Sequence, residues 1–438
     1  MKKITVYADF DFLASPQEIG TLGYERVRGK DHFVFEYSHE WLKQHGGIVL
    51  SGDLMNVTSL QHPHGTDSVF GFVKDSFPDR WGRLLLDRRE RLKAQVEGRP
   101  VQMLTNYDYL TGIEDFTRMG GIRYKDENSD GFINVSSKYL VPPIESLRAL
   151  CDACHEIELA EERNELPEQR WLDQLIDPGT SLGGARPKAN VIDTDGKLYV
   201  AKFPSKKDLD NTELIEHFAH RLAAAAGINV AQTRTIRISK GRDLLLSERF
   251  DRTADGRRIH FASAMSLLGL DDGADSSTGN GYLDIVDFIL QGCVDVQQNL
   301  RELYRRVAFN VMFGNTDDHF RNHGFLLTPK GWTLSPAYDI NPGTKTHQCL
   351  LIDQYTEQSD ATALLRASGN YMLEQREASE IIEEVRTAIK DWRKTATELQ
   401  ISHKILEPYC NRWDNLYLPV VGAPCSPPPI LRFEGDET

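Results

Sequence analysis

The sequence predicts an α+β protein in which a β-rich opening and a half-β middle give way to a mainly helical C-terminal part. Three observations predict it. Residues 4–37 alternate apolar and polar in short runs broken by Gly20, Gly23 and Gly29, the pattern of an antiparallel meander. Two apolar runs, Ala189-Asn190-Val191-Ile192 and Leu198-Tyr199-Val200-Ala201-Lys202-Phe203, flank the turn Asp193-Thr194-Asp195-Gly196 and read as a hairpin. Beyond Arg257, residues 283–291, 301–314 and 378–399 carry apolar side chains at three- and four-residue spacing, which is helical.

Between these landmarks, residues 70–96 read as helix, entered through Phe77-Pro78-Asp79-Arg80 and burying Trp81, Leu84, Leu85 and Leu86. Arg88, Arg89, Arg91 and Lys93 interleave with Asp79, Asp87 and Glu90, the composition of a solvated helix face rather than of a phosphate-binding patch. Pro142-Pro143 precedes a long helical pattern and marks the first boundary. Residues 213–226, alanine-rich and closed by Gly227, form a helix, and a strand pair follows at 233–238 and 244–250. The expected division is an N-terminal subdomain at 1–141, a smaller lobe at 142–256 and a helical lobe at 257–438. The tail Pro424-Cys425-Ser426-Pro427-Pro428-Pro429 cannot continue a helix.

With 438 residues, 40% hydrophobic and 26% charged, the chain has the composition of an ordered globular protein of two or three packed units. A net charge of -14 argues against a general basic field for DNA or anionic membranes. The N-terminus turns polar before a signal-peptide apolar region forms, and no apolar stretch approaches the ~20 residues that span a bilayer. Six scattered cysteines then read as reduced thiols, and the expected compartment is the cytoplasm. Cys151-Asp152-Ala153-Cys154-His155 matches haem attachment and half of a zinc site; lacking an export signal and a second cysteine pair, it reads as thiols packed on a helix. Residues 126–131 begin like a calcium loop, which fails where Ser137 replaces the bidentate glutamate.

The chemistry concentrates in Thr316-Asp317-Asp318-His319-Phe320-Arg321-Asn322, followed by Tyr338-Asp339-Ile340. An acid, four residues, an amide and a later acid is the spacing of the protein kinase catalytic loop. Moving a γ-phosphoryl group needs a carboxylate to orient and deprotonate the acceptor hydroxyl, and hard oxygens to hold Mg²⁺ on the phosphates. Asp317, Asn322 and Asp339 supply those types, although Asn315-Thr316-Asp317-Asp318 and Asn341-Pro342-Gly343 are also turn compositions. His319 reads either as a catalytic base or as an oriented structural histidine. The glycine-rich Ser181-Leu182-Gly183-Gly184-Ala185-Arg186-Pro187-Lys188 is no Walker A loop, since a proline precedes its lysine and a strand follows. Lys202 stands in a strand like the kinase lysine that holds the α- and β-phosphates, with Glu216 on the next helix as its ion-pair candidate. Taken in order, these signals predict a two-lobed, protein-kinase-like fold with an extra β-rich N-terminal subdomain and a mainly helical C-terminal lobe.

The chain resembles, over nearly its whole length, the HipA-type serine/threonine kinases, toxins of bacterial type II toxin-antitoxin modules. The resemblance is carried by Glu36-Tyr37-Ser38-His39-Glu40-Trp41-Leu42, Asp75-Ser76-Phe77-Pro78-Asp79, residues 181–188, Ser247-Glu248-Arg249-Phe250-Asp251, residues 316–322 and Tyr338-Asp339-Ile340. It implies Asp317 as catalytic base, Asn322 and Asp339 as Mg²⁺ ligands, and Lys202, paired with Glu216, on the ATP phosphates. The implied nucleotide site comprises Ser181, Gly183, Gly184, Ala185, Lys202, Glu248, Phe250, His319, Asn322 and Asp339, with residues 248–250 as the hinge against adenine. Ser181 matches the family's inhibitory autophosphorylation site. Implied partners are a HipB-like helix-turn-helix antitoxin, operator DNA reached mainly through it, and a translation-related protein substrate, aminoacyl-tRNA synthetases being the precedent. Neither His-Arg-Asp nor Asp-Phe-Gly occurs, Tyr338-Asp339-Ile340 standing in place of the latter, which puts activation-loop control of the usual kind in question. Two other readings are a small-molecule phosphotransferase, since antibiotic and choline kinases share a similar arrangement, and a non-catalytic co-repressor module.

Overall fold

In the computed structural model the described residues are 1–64, 68–127, 129–135, 141–175, 184–239 and 241–416. Strands β1 (Lys2–Ala8), β2 (Gln17–Val27), β3 (Lys30–Tyr37) and β4 (Ile122–Asp126) form an antiparallel sheet in the order β3-β2-β1-β4. Its alternation is plain in β1, where Ile4, Val6 and Ala8 are buried and Thr5 and Tyr7 half-buried.

The helical stretch expected at 70–96 is broken in two, a short helix Gly71–Lys74 and α1 (Arg80–Glu97). Pro78 disfavours helical geometry at Phe77, and the Asp79 carboxylate restarts the helix by accepting from the Gly82 N–H at 2.7 Å. Residues 75–79 are thereby left as a non-helical link between two helices.

Helix α2 (Leu147–Glu162) leads to the second sheet, β5 (Lys188–Ile192), β6 (Leu198–Lys202), β7 (Thr233–Ser239) and β8 (Arg242–Glu248), antiparallel in the order β5-β6-β8-β7. Helix α3 (Thr212–Ala225) lies between β6 and β7 in sequence. Trp81 and Leu85 of α1 share a core with Leu150 and Ile157 of α2 and with Ala189, Val191, Ala201 and Leu246 of the sheet. Packing therefore crosses the expected boundary after residue 141. Cys151 and Cys154 are buried on α2, where burial pushes the Cys151 thiol up to about 11.

The C-terminal lobe holds α4 (Tyr282–Gly292), α5 (Val296–Phe309), α6 (Gln375–Lys390), α7 (His403–Asp414) and a small sheet β11-β10-β9, from β9 (Phe261–Ser263), β10 (Gly324–Thr328) and β11 (Gly331–Leu334). The helix expected at 301–314 leaves α-helical geometry after Phe309 and closes with a π-helical turn, Asn310–Gly314. Gly314, at φ +92°, permits the reversal into the Asp317 loop that a side chain would resist. Stacked rings anchor this turn: Phe309 on Phe313 at 4.8 Å and Phe313 on Trp413 of α7 at 5.0 Å. No helix among the described residues is long and apolar enough to cross a membrane.

A buried ionic knot joins the first subdomain to the end of β8. Arg249 donates from Nε to Asp251 Oδ1 at 2.8 Å and from Nη2 to Oδ2 at 2.6 Å, and its Nη1 reaches the Thr117 carbonyl at 2.6 Å. Asp251 Oδ2 also accepts from the Gly120 N–H at 2.7 Å. Burial alone would raise the Asp251 carboxyl, but the Arg249 and Arg252 guanidiniums hold it well below the usual carboxylate range. Asp251→Ala would strand Arg249 in the interior and is expected to cost about 3–5 kcal/mol, read as a lowered urea unfolding midpoint. A change under about 1 kcal/mol would show that the knot does not hold the two units together.

Candidate active site

A cleft of about 1060 Å³ opens between the lobes, with Asp317, His319, Asn322, Asp339, Gly184 and Ala185 in its wall. The opposite wall comes from the first subdomain, through Lys74, Phe77, Asp79, Arg80 and Arg83.

Two neighbouring acids on the catalytic-type loop have opposite surroundings. Asp317 is exposed, and its carboxylate makes no hydrogen bond among the described residues. Asp318 is buried, and its Oδ2 accepts from Tyr282 of α4 at 2.8 Å, Asn310 of the π turn at 2.6 Å and His323 Nε2 at 2.7 Å. Burial would raise Asp318, yet His323 and the Tyr282 hydroxyl hold it below its ordinary value. Asp318 is thus the fastening of the loop, which leaves Asp317 turned to the cleft. Asn322 ends a one-turn 3₁₀ segment, Phe320–Asn322, and its amide donates to the Asp317 carbonyl at 3.2 Å. His319 lines the cleft, and its Nδ1 is buried without a hydrogen-bond partner among the described residues.

The second acid, Asp339, adopts left-handed geometry at φ +56°, which short polar side chains tolerate better than most. Tyr338 fixes this turn from one side, donating to the Arg321 carbonyl at 2.6 Å and packing on Phe250 at 5.6 Å. From the other side Lys202 Nζ reaches Asp339 Oδ1 at 2.8 Å, and the same ammonium bonds both Glu216 oxygens, at 2.7 and 3.0 Å. β6, α3 and the C-terminal lobe therefore meet at one buried cation. Burial opposes the charge on both partners, but their mutual attraction wins, raising the Lys202 ammonium and lowering the Asp339 carboxyl to about 2.

Hard oxygens gather here as a divalent cation would need. Asp339 is kept ionised, Asn322 faces the same cleft, and Asn341 Oδ1 is buried with no hydrogen-bond partner while its Nδ2 lies 3.3 Å from Asp339 Oδ1. No group of three or more His, Cys, Asp or Glu side chains among the described residues is arranged to hold a metal ion by itself. One carboxylate and a few amide oxygens suit Mg²⁺, which keeps waters and takes phosphate oxygens as further ligands.

The remaining expected residues are less central. Gly184, at φ +109°, ends the described part of the glycine loop, whereas Ser181 and Gly183 lie outside the described residues. Lys202, Glu248 and Phe250 are not in the cleft wall. Glu248 is bonded to Lys197 at 3.1 Å, its backbone N–H is taken by the Gln232 carbonyl at 2.8 Å, and the Arg249 N–H by Leu198 at 2.9 Å. Sequence reasoning missed four residues of this region. Asp318 and Asn341 were read as turn formers, Asp79 as a helix entry and one acid of a solvated helix face, and Lys188 as the reason to reject a Walker A loop; Asp79 and Lys188 also stood in stretches that carry the resemblance, but none of the four was given a role in the site. For Lys188 a signal existed: in an antiparallel hairpin with this turn it falls opposite Lys202, and the two are register partners.

Residues 11–107 match the HipA N-terminal domain and residues 180–392 the HipA-like C-terminal domain. A Sinorhizobium fredii protein named "Putative kinase Y4mE" is 30% identical over 176 residues, 36% of this chain and 41% of that protein. The serine/threonine-protein kinase toxin HipA of Shewanella oneidensis is 27% identical over 199 residues, 39% of this chain and 45% of the relative. The chain thus spans about half the length, or less, of these two relatives. The structure of Shewanella oneidensis HipA with HipB and operator DNA superposes with a TM-score of 0.62 at 16% identity, covering 94% of this chain and 95% of that one, a likeness of fold. The two domain matches, in chain order and within one shared fold, identify the chain as a member of the HipA family.

Proposed function

We propose that the chain is an ATP-dependent serine/threonine protein kinase of the toxin type, divided functionally near residues 141 and 256. The observation that carries the proposal is that Asp339, tied to Lys202 and through it to Glu216, shares one cleft wall with the exposed Asp317 and with Asn322. Lys202 would bind the α- and β-phosphates, held charged and aimed by Glu216. Asp317 would orient the acceptor hydroxyl and take its proton, and Asp318, by fastening the loop, keeps that carboxylate at a fixed height. Asn322 and Asp339 would hold Mg²⁺, which supplies positive charge to the phosphates when bound. Gly184 and Ala185, with Ser181 and Gly183 of the same loop, would cover the phosphates through backbone N–H groups. Since the N–H groups of Glu248 and Arg249 are already bonded, adenine contacts at this strand end fall to Phe250 and to carbonyls.

The substrate is read as a translation-related protein, after the aminoacyl-tRNA synthetase precedent, and the partner as a HipB-like antitoxin through which the cytoplasmic complex reaches operator DNA. The solved relative carries HipB and operator DNA, and the acidic balance of this chain suits DNA contact made mainly by the antitoxin.

Asp317→Ala is expected to lower phosphoryl transfer from labelled ATP to protein in a lysate by about 100-fold or more with unchanged melting. Label entering only small metabolites in the unaltered protein would favour a small-molecule phosphotransferase instead. Ser181→Ala should abolish the slow gain of one phosphate seen by intact mass after incubation with Mg-ATP; persistence of that gain would move the modification elsewhere.

Lys202→Met removes the largest attraction that holds Asp339 at about 2, so against burial only the weaker pull of Lys188 and His319 remains and the carboxyl should titrate higher than in the unaltered protein. Carboxyl NMR of labelled aspartate reads this, and an unmoved titration would refute the pairing. Because the folded value is depressed, the pair's contribution to stability is complete above about pH 4 and is lost as pH falls toward 2.

A further inference from the structure

Lys188 and Lys202 sit directly opposite each other in the β5–β6 hairpin, Lys188 buried and Lys202 half-buried. Opposed side chains in such a pair start ~5 Å apart, so the two ammonium groups here repel and both draw counter-charge. Lys202 takes Glu216 and Asp339. Lys188 Nζ takes Asp79 Oδ2 at 2.9 Å, in an ion pair whose side chains are 3% and 2% exposed. The other Asp79 oxygen caps α1 through the Gly82 N–H, and one residue earlier the Trp81 N–H points to the Gly184 carbonyl at 3.4 Å. The first turn of α1 thus grips the end of the glycine loop.

The same five-residue link grips the other lobe. Asp75 accepts from the Ser263 N–H at 2.8 Å and from its hydroxyl at 2.7 Å, and Ser263 is paired with Gly324 at the start of β10, two residues after Asn322. The Ala264 N–H bonds the His323 carbonyl at 2.7 Å. Residues 75–79 therefore touch β5, the strand that follows the glycine loop, at one end and β9, the neighbour of the strand that follows the Asp317 loop, at the other.

We infer that Asp79 is a positioning residue for nucleotide binding: by occupying Lys188 it leaves Asp339 and Glu216 to Lys202, while the link back to Asp75 fixes the separation of the two lobes. The N-terminal subdomain is then part of the kinase machinery in cis. Without the Asp79 charge, Lys188 stays beside Lys202 with one counter-charge fewer, and the pull it already exerts on Asp339 competes more strongly with that of Lys202.

The inference rests on the proposed kinase reading, and equilibrium binding of Mg-ATP to the full chain, by calorimetry, separates the two. If the unaltered protein binds no Mg-ATP, the kinase reading fails and this inference fails with it; if it binds and Asp79→Asn binds equally, only this inference falls. Asp79→Asn keeps the size and the capping oxygen, and the expected result is about tenfold weaker binding. A merely structural role would lower the melting temperature and leave the affinity of the folded fraction alone. Asp79→Asn with Lys188→Met removes both charges and should return affinity to within about threefold of the unaltered protein. This double variant decides even where Asp79→Asn alone does not fold, and a double variant that stays about tenfold weaker overturns the inference.

Discussion

Two lysines facing each other in a buried hairpin set the constraint on which the rest of the site depends. Neither Lys188 nor Lys202 can shed its charge into water, so the fold must bring carboxylates to them, and it does so from three directions. Glu216 comes from α3 within the same lobe, Asp339 from the C-terminal lobe, and Asp79 from the N-terminal subdomain. Removing one partner of such a pair typically costs about 3–5 kcal/mol, because an uncompensated charge stays behind. The ion pairs are therefore better read as fixing where three units meet than as adding net stability, since an apolar core of the same shape would do as well or better.

The Arg249–Asp251 knot applies the same logic at the end of β8, an inner strand of the second sheet. The backbone carbonyls it satisfies belong to the segment around Thr117 and Arg118, which precedes β4, so the end of β8 is locked to the first sheet rather than left as a swinging hinge. With α1 packed into the core of the second sheet as well, the N-terminal subdomain embraces the smaller lobe on two sides. In a protein kinase, lobe closure must bring the glycine loop over bound phosphates. Here the lobe's freedom to rock is limited by buried charge at two places, the Lys188–Asp79 pair and the Arg249–Asp251 knot.

Much of this was legible in the sequence because it is written in local periodicity. The first sheet, the β5–β6 hairpin, α3 and the spacing from Asp317 to Asn322 follow from alternation, turn chemistry and helix signals, and the structure shows them with shifts of a few residues. The break at residues 75–79 was legible too: Pro78 before Asp79 is a helix start, so the run before it has to end. What could not be read were pairings across long separations. Nothing local connects Asp79 with Lys188, or Asp75 with Ser263, because each partner alone is an ordinary polar residue near a turn. The helix at 301–314 failed for a related reason. Its apolar spacing continues through Phe313, but Asn310 is recruited by Asp318, and the backbone opens into a π turn to deliver it.

The Asp317-Asp318 pair shows how composition and role come apart. Two identical side chains sit side by side, and the backbone sends one outward and the other inward. The inward carboxylate gathers three donors from α4, the π turn and the loop's own end, an arrangement that would rigidify the loop by cross-linking its two ends through one atom. The outward one is left without such partners, and so keeps its lone pairs free for a ligand in the cleft. An acid held by many donors is poorly suited to take a proton, because each hydrogen bond favours its ionised form. An acid with none among the described residues, carried on a backbone that its neighbour has made rigid, is suited to it. The division of labour follows from where the chain reverses at Gly314 rather than from the residues' chemistry.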